Sequence, residues 1–278
     1  MAGFFSFFDY TKPGPGIPEN APSKPRIVIF FDIFLRKFWH LVKLNMLFLL
    51  FNLPAVIVMP LVAQFFLPML NKSTVMTGNS IYELMFYFTA GAILVCIPVV
   101  TTGPAQAGFT YILRNFSREE HAFLWGDFKE HAIKNAGQSS LICLIDLVVV
   151  LIIGIDISFY MRISEKNMLQ TAATFFIIIF FIIYVMMHMY IYPMLITFRL
   201  SVKQIYKNAF IFSIIRFFPN LGILALCSIL ALLPLLLIPA VGILMFLFIT
   251  MSLTGLITNF YVYPVLKKYM LDKLPDMS

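Results

Sequence analysis

The sequence predicts an all-α polytopic membrane protein, six transmembrane helices paired as three helical hairpins with amphipathic cytoplasmic connectors. Three observations lead there: composition, the length of the apolar runs, and the distribution of basic residues between them. Of 278 residues, 61% are hydrophobic and only 12% charged, and the mean hydropathy is +0.92. A soluble domain carries about 25% charged residues, and no water-facing core could hide this much apolar surface. Lipid is therefore the expected solvent for most of the chain.

Residues 1–26 form a Pro/Gly-rich arm, in which TKPGPGIPENAPSKP cannot be regular helix because each proline removes a donor and fixes φ. Its Phe4, Phe5, Phe7 and Phe8 either dip into the membrane interface or pack beneath the bundle. They are too short an apolar stretch for a signal peptide and have no basic region before them. The transmembrane domain is expected over 27–265, followed by a basic tail, 266–278.

Residues 27–43 read as an amphipathic stub carrying Arg36, Lys37, Trp39, His40 and Lys43, the residue types that anchor a span at the interface. The first span follows from Asn45 to Leu70, with Pro54 and Pro60 in it. A polar loop covers 71–80. The second span, Ile81 to Val100, continues past Pro104 as a kinked helix to Arg114. Ser117 with Glu120, and Asp127 with Glu130, have capping-box spacing. They predict a short helix after Ser117, a break at Gly126 and a new helix from Asp127. The third span runs from Gly137 to Tyr160, an outer loop covers 161–170, and the fourth span runs from Thr171 to Phe198. A second basic stub, RLSVKQIYKN, leads into the fifth span, Asn220 to Leu237. Pro234 and Pro239 close an uncharged loop before the sixth span, Gly242 to Tyr263.

The segments before spans one, three and five, and the tail, hold nearly all the lysines and arginines. The opposite side holds only Lys72, Arg162 and Lys166. This imbalance predicts a multi-pass protein of the cell membrane with both termini in the cytoplasm. It also accounts for the net charge of +7 by contact with anionic lipid, without nucleic acid as a partner.

A threefold hairpin repeat, 27–109, 117–198 and 201–269, is suggested by spacing. Asn45 to Pro104, Asn135 to Pro193 and Asn208 to Pro264 are 59, 58 and 56 positions apart. All three hairpins would start inside, so the repeats are parallel rather than inverted.

Candidate chemistry centres on Asp146. It lies nine residues past Gly137, about 13 Å into the third span at 1.5 Å per residue, where a carboxylate needs a partner or a proton. His188 lies ten residues before Phe198, about 15 Å deep on the same rise. The two are expected to pair across adjacent helices, either as a proton or solute site or as a structural contact. Asp156 and Glu83 fall near outer membrane ends and are expected to be solvated. Met186, Met187 and Met189 beside His188 are a soft-metal possibility set against plain core filler. Cys96, Cys143 and Cys227 lie inside apolar runs, as inert core thiols do. His121 and His131 have no cysteine or third histidine nearby. No metal site, cofactor or catalytic constellation is expected, since HExxH, GxSxG, P-loop and dinucleotide patterns are all missing from the sequence. The connector between Ser117 and Asn135 is a different kind of candidate: Phe116, Trp125, Asp127 and Phe128 either dock a partner or pack against the same protein.

FFDYTKPGPG at the N-terminus, RKFWHLVKLN at the first span and GPAQAGFTYILRNFSREEHAFLWGDFKEHAIKN after the second resemble the YesL-like family of bacterial multi-span membrane proteins, a domain of unknown function. The resemblance extends over the whole chain. It implies a Gram-positive bacterium and a gene neighbourhood of carbohydrate ABC importers. A non-enzymatic accessory or assembly partner of such an importer, touching its permease or other membrane subunits, is the expectation that follows. The alternative is a small-solute or proton-coupled transporter using Asp146 and His188, favoured if a polar cavity reaches that depth.

Overall fold

A computed structural model describes residues 25–71, 80–162 and 168–273; side chains between 59 and 98 lie outside the description. Most of the N-terminal arm, Lys72, Glu83, Cys96, Lys166 and the end of the tail therefore fall outside it. Every described segment is helix or a short turn between helices, with no strand among the described residues. In chain order the helices are α1 (Arg26–Asn71), α2 (Ser80–Ser117), α3 (Leu124–Lys134), α4 (Ala136–Arg162), α5 (Met168–Thr197), α6 (Val202–Ile215), α7 (Phe217–Leu237), α8 (Pro239–Met245) and α9 (Met251–Tyr269). A π-helical turn, Phe246–Thr250, joins α8 to α9, and a 3₁₀ turn, Leu271–Lys273, follows α9.

Among the described residues five stretches are long and apolar enough to cross a membrane: Arg26–Val58, Ala136–Gly154, Met168–Thr197, Phe217–Leu237 and Pro239–Tyr269. The second apolar run of the sequence lies in the first half of α2, mostly among the undescribed side chains. Phe175, Phe176 and Phe180 on α5 and Leu226, Ile229 and Leu236 on α7 are exposed, the opposite of what water would select. The chain is an all-helical, membrane-embedded protein.

Several local expectations change. The stub at 27–43 and the first span are one helix of 46 residues, about 69 Å long. No helix starts at Ser117. Instead α2 ends there, and Ser117 Oγ donates to the Arg114 carbonyl at 2.7 Å. Glu119 then takes a positive φ of 61°. Its N–H donates to Phe116 O at 3.1 Å, and the Glu120 N–H to Asn115 O at 2.9 Å. That is a Schellman stop with glutamate where glycine is usual, and Arg36 holds the carboxylate at 2.7 Å. α3 begins at Leu124 and runs through Gly126 without a break. Asp127 does not cap it from outside; its Oδ2 reaches back to accept from the Phe123 N–H at 2.9 Å. Pro234 lies inside α7, so the uncharged loop shrinks to Ile238.

α2 is the hub, packing on α1, α3, α4, α5 and α9. Two positions of GPAQAG explain how. A Cβ on Gly103 would stand 2.5 Å from the Ser139 carbonyl oxygen of α4, and one on Gly108 2.5 Å from the Phe128 carbonyl oxygen of α3. Small residues let backbones meet where lipid supplies no hydrophobic drive for association. Around them are two apolar clusters, one of α1, α2 and α3 built on Phe109, Phe116 and Phe128, the other of α5, α6 and α9 built on Tyr190, Ile205 and Val262.

Helix breaks leave backbone groups that need partners, and where water is scarce the protein must supply them. Asn45, fully buried, does this for the π turn. Its Nδ2 donates to Phe246 O at 3.0 Å and to Leu247 O at 2.8 Å, while its Oδ1 accepts from the Ser252 N–H at 3.0 Å. Asn220 serves the α6–α7 junction. Its Nδ2 donates to Phe212 O at 3.1 Å, and its Oδ1 accepts the Tyr190 hydroxyl at 2.6 Å and the Tyr261 hydroxyl at 2.8 Å. Pro264, inside α9, cannot donate to Phe260 O, and Arg26 does so at 2.7 Å. Arg114 donates to Ile196 O, among the last carbonyls of α5, at 3.2 Å.

The repeat landmarks fall in unlike settings. Asn45 is inside α1, Asn135 is the residue between α3 and α4, and Asn208 is inside α6. Pro104, Pro193 and Pro264 lie inside α2, α5 and α9.

Two predictions follow from the packing. Gly108→Leu should push α3 off α2 and cost about 1–3 kcal/mol, read as a lower thermal midpoint in detergent; Gly137→Ala, with nothing within 4 Å of the added carbon, should not lower it. Asn45→Ala removes three side-chain hydrogen bonds from a buried site. It should cost about 2–4 kcal/mol, measured by the same unfolding.

Candidate functional site

Three helices converge on one carboxylate oxygen. α4 supplies Asp146. α5 supplies Tyr184 and His188, one turn apart and so on one face. α6 supplies Tyr206. Asp146 Oδ1 accepts the Tyr184 hydroxyl at 2.6 Å and the Tyr206 hydroxyl at 3.0 Å, and His188 Nε2 lies 3.1 Å away. The arrangement suits an ionised carboxylate with three donors, His188 donating from Nε2. Burial, then the charge of Asp146, pushes the Tyr206 phenol up, so it stays a proton donor throughout the physiological range. The Asp146 and His188 side chains are 23% and 29% exposed, enclosed enough to strengthen the pair.

Tyr206 reaches the site because α6 is a separate amphipathic helix. Ser201 and Gln204 form a capping box at its start, and Ile205 and Ala209 bury its inner face. The Ser-x-x-Gln spacing is the sequence signal for that helix, though nothing in it points to Asp146. Tyr184 was legible only as the residue four before His188.

Behind the pair lies a cavity of about 280 Å³ between α1, α2, α5, α7 and α9, with His188, Tyr192 and Pro193 in its wall. His188 thus meets the carboxylate through Nε2 and also stands in the cavity wall. Met186 and Met187 are buried and act as core filler. Among the described residues no three His, Cys, Asp or Glu side chains converge as metal ligands would. Cys143 and Cys227 are free, half-buried thiols.

The connector splits into covered and uncovered halves. Phe116 and Phe128 are each 1% exposed; Phe128 packs on Phe51 and Phe116 on His40. As docking residues they must be withdrawn, because α1 and α2 already cover them. Trp125 is 58% exposed and leans on Phe51. Asp127 is engaged with its own helix start.

His131 stacks flat on Tyr111, and its Nδ1 donates to Asp127 O at 3.0 Å. Burial lowers its pKa below 6.5, outweighing the favourable backbone bond at Asp127. The native connector thus prefers neutral imidazole. Its contribution is full above pH 6.5 and declines as acid protonates the unfolded state first. Unfolding followed by Trp fluorescence should show a lower midpoint at pH 5 than at pH 8, and His131→Phe should shrink that difference.

No curated protein and no solved structure matches the chain. Residues 41–157, from within α1 through Asp146 on α4, match a family model described as a protein of unknown function, DUF624, which is consistent with an integral membrane protein of unknown activity.

Proposed function

We propose that this protein is a non-enzymatic, proton-linked transporter of a small solute, in which Asp146 and His188 are the proton-handling pair. The observation that carries the proposal is the double position of His188, bonded to Asp146 at 3.1 Å and standing in the wall of the 280 Å³ cavity. Protonation of Asp146 weakens their bond, protonation of His188 turns it into an ion pair and makes both ring nitrogens donors, and either event changes the hydrogen bonding around the cavity wall. That couples occupancy to proton binding by linkage. The reading also takes α2 as the sixth span and both termini as cytoplasmic, on the distribution of basic residues. It keeps the YesL-like kinship and the Gram-positive cell membrane as its setting.

An accessory role beside a carbohydrate importer stands second. What favours it is the face of the connector left open, with Phe123 69%, Trp125 58% and Ile133 66% exposed. The same residues also suit the lipid headgroup layer. Copurification of a permease from mild detergent, lost on Trp125→Glu, would move this reading to first place.

The transporter reading is tested by uptake. Cells with and without the protein are given a panel of labelled small solutes at pH 6, with and without a protonophore. At least one solute should accumulate only with both the protein and the proton gradient, and Asp146→Asn should reduce that at least tenfold. Uptake indifferent to the protein across the panel would overturn it.

A further inference from the structure

From Lys166 to Leu271 the sequence has no aspartate or glutamate, yet the stretch between α5 and α7 carries Arg199, Lys203, Lys207 and Arg216. Arg216 is engaged, its guanidinium lying over the Tyr261 ring at 5.6 Å. Arg199, Lys203 and Lys207 are exposed and make no ion pair among the described residues. The carboxylate that α6 does meet, Asp146, takes the Tyr206 hydroxyl instead of a lysine. Three cations are thus collected at one end of α6 without a counter-charge from the protein.

Their support is fixed. Ser201 and Gln204 close the capping box at the start of α6, and Gln138 of α4 donates to the Leu200 carbonyl at 3.1 Å. Ile205 and Ala209 are fully buried on the inner face, followed by Phe212. Lys203 and Lys207 are one turn apart on the outer face, with Cβ atoms about 5–6 Å from each other.

Beyond Lys207 the outer face turns apolar. Phe210, Ile211, Ile214 and Ile215 are all exposed. Lys203, Lys207, Phe210 and Ile214 follow at intervals of four, three and four positions, one continuous stripe on a helix. A helix lying flat on a membrane separates polar from apolar residues around its circumference. On this stripe they separate along the axis, with Ile214 about 10 Å beyond Lys207. That is the pattern of a helix passing from the headgroup layer into hydrocarbon. A phospholipid has the same gradient, phosphate above and chain below. A soluble polyanion would cover the lysines and leave the isoleucines bare, and an uncharged apolar helix would do the reverse. A zwitterionic lipid brings its own cation to the phosphate. An anionic phospholipid answers both ends of the stripe.

We infer that Lys203 and Lys207, with Arg199, bind the phosphate of an anionic phospholipid whose acyl chain lies along Phe210, Ile211 and Ile214. The bound lipid holds α6 in place and thereby keeps Tyr206 on Asp146. The inference goes beyond the transport reading and does not depend on it.

The protein is placed in nanodiscs of phosphatidylcholine, or of an equimolar mixture with phosphatidylglycerol. Native mass spectrometry of protein released from the mixture should show phosphatidylglycerol retained in preference to phosphatidylcholine. Lys203→Gln with Lys207→Gln should lose it, Lys203→Arg with Lys207→Arg should keep it, and Lys129→Gln with Lys134→Gln, on α3, should keep it as well. Amide hydrogen exchange across Ile205–Ala209 should be about tenfold slower in the mixture than in phosphatidylcholine alone, and the double glutamine variant of α6 should abolish that difference.

Equal retention of the two lipids, retention undiminished in the α6 glutamine variant, or equal loss in the α3 variant would overturn the site. Retention of the lipid with unchanged exchange in α6 would overturn its hold on Tyr206. Protection of α6 by glycerol 3-phosphate in phosphatidylcholine discs, matching that of the lipid, would overturn the lipid in favour of a soluble phosphate. Each of these outcomes is independent of whether any solute is taken up.

Discussion

Inside a bilayer every polar backbone group must find its partner within the protein, and this constraint organises the structure. A long helix satisfies it automatically; each break does not. The π turn before α9, the α6–α7 junction and Pro264 each have carbonyls that take a side-chain donor. Each is met by one side chain: Asn45, Asn220 and Arg26. These contacts join elements far apart in sequence, since Asn45 holds residues about 200 positions away. Local satisfaction thereby becomes tertiary connection, which apolar contact against lipid cannot provide alone.

Close backbone approach is the second requirement, and α2 meets it at Gly103 and Gly108. The same helix then contributes Gln106, Phe109 and Thr110 to the cavity wall. One face of α2 is thus a packing seam and a neighbouring face lines the space beside His188. The side chains needed for proximity and those needed for chemistry alternate within eight residues, Gly103 to Thr110. The site at Asp146 obeys the same logic as the helix breaks. A carboxylate at depth is costly unless donors surround it, and two tyrosines and an imidazole supply them. It differs in that one of its members, His188, also stands in a cavity wall.

Some of this was legible in the sequence. The depths of Asp146 and His188 follow from helical rise, and their nearness needs only that adjacent helices run antiparallel. Tyr206 was not legible, because its helix is held by packing on α5 and no local pattern points it at Asp146. Asn45 was visible as a landmark, yet its role depends on a π turn two hundred residues later. Ser117 and Glu120 have the spacing of a helix start but sit at a helix stop. Spacing cannot distinguish the two when Arg36, from a distant helix, fixes Glu119 in a left-handed turn. Phe116 and Phe128 read as a possible docking face only until α1 is laid over them.

By itself the sequence determined the solvent, the helical class and where the helices can lie, because those depend on composition and on the rise per residue, both local quantities. Tertiary structure alone decided which donors surround Asp146 and which carbonyls Asn45 and Asn220 serve. Those outcomes depend on how helices are rotated and brought together, and rotation is set by close contacts between residues that the chain keeps far apart.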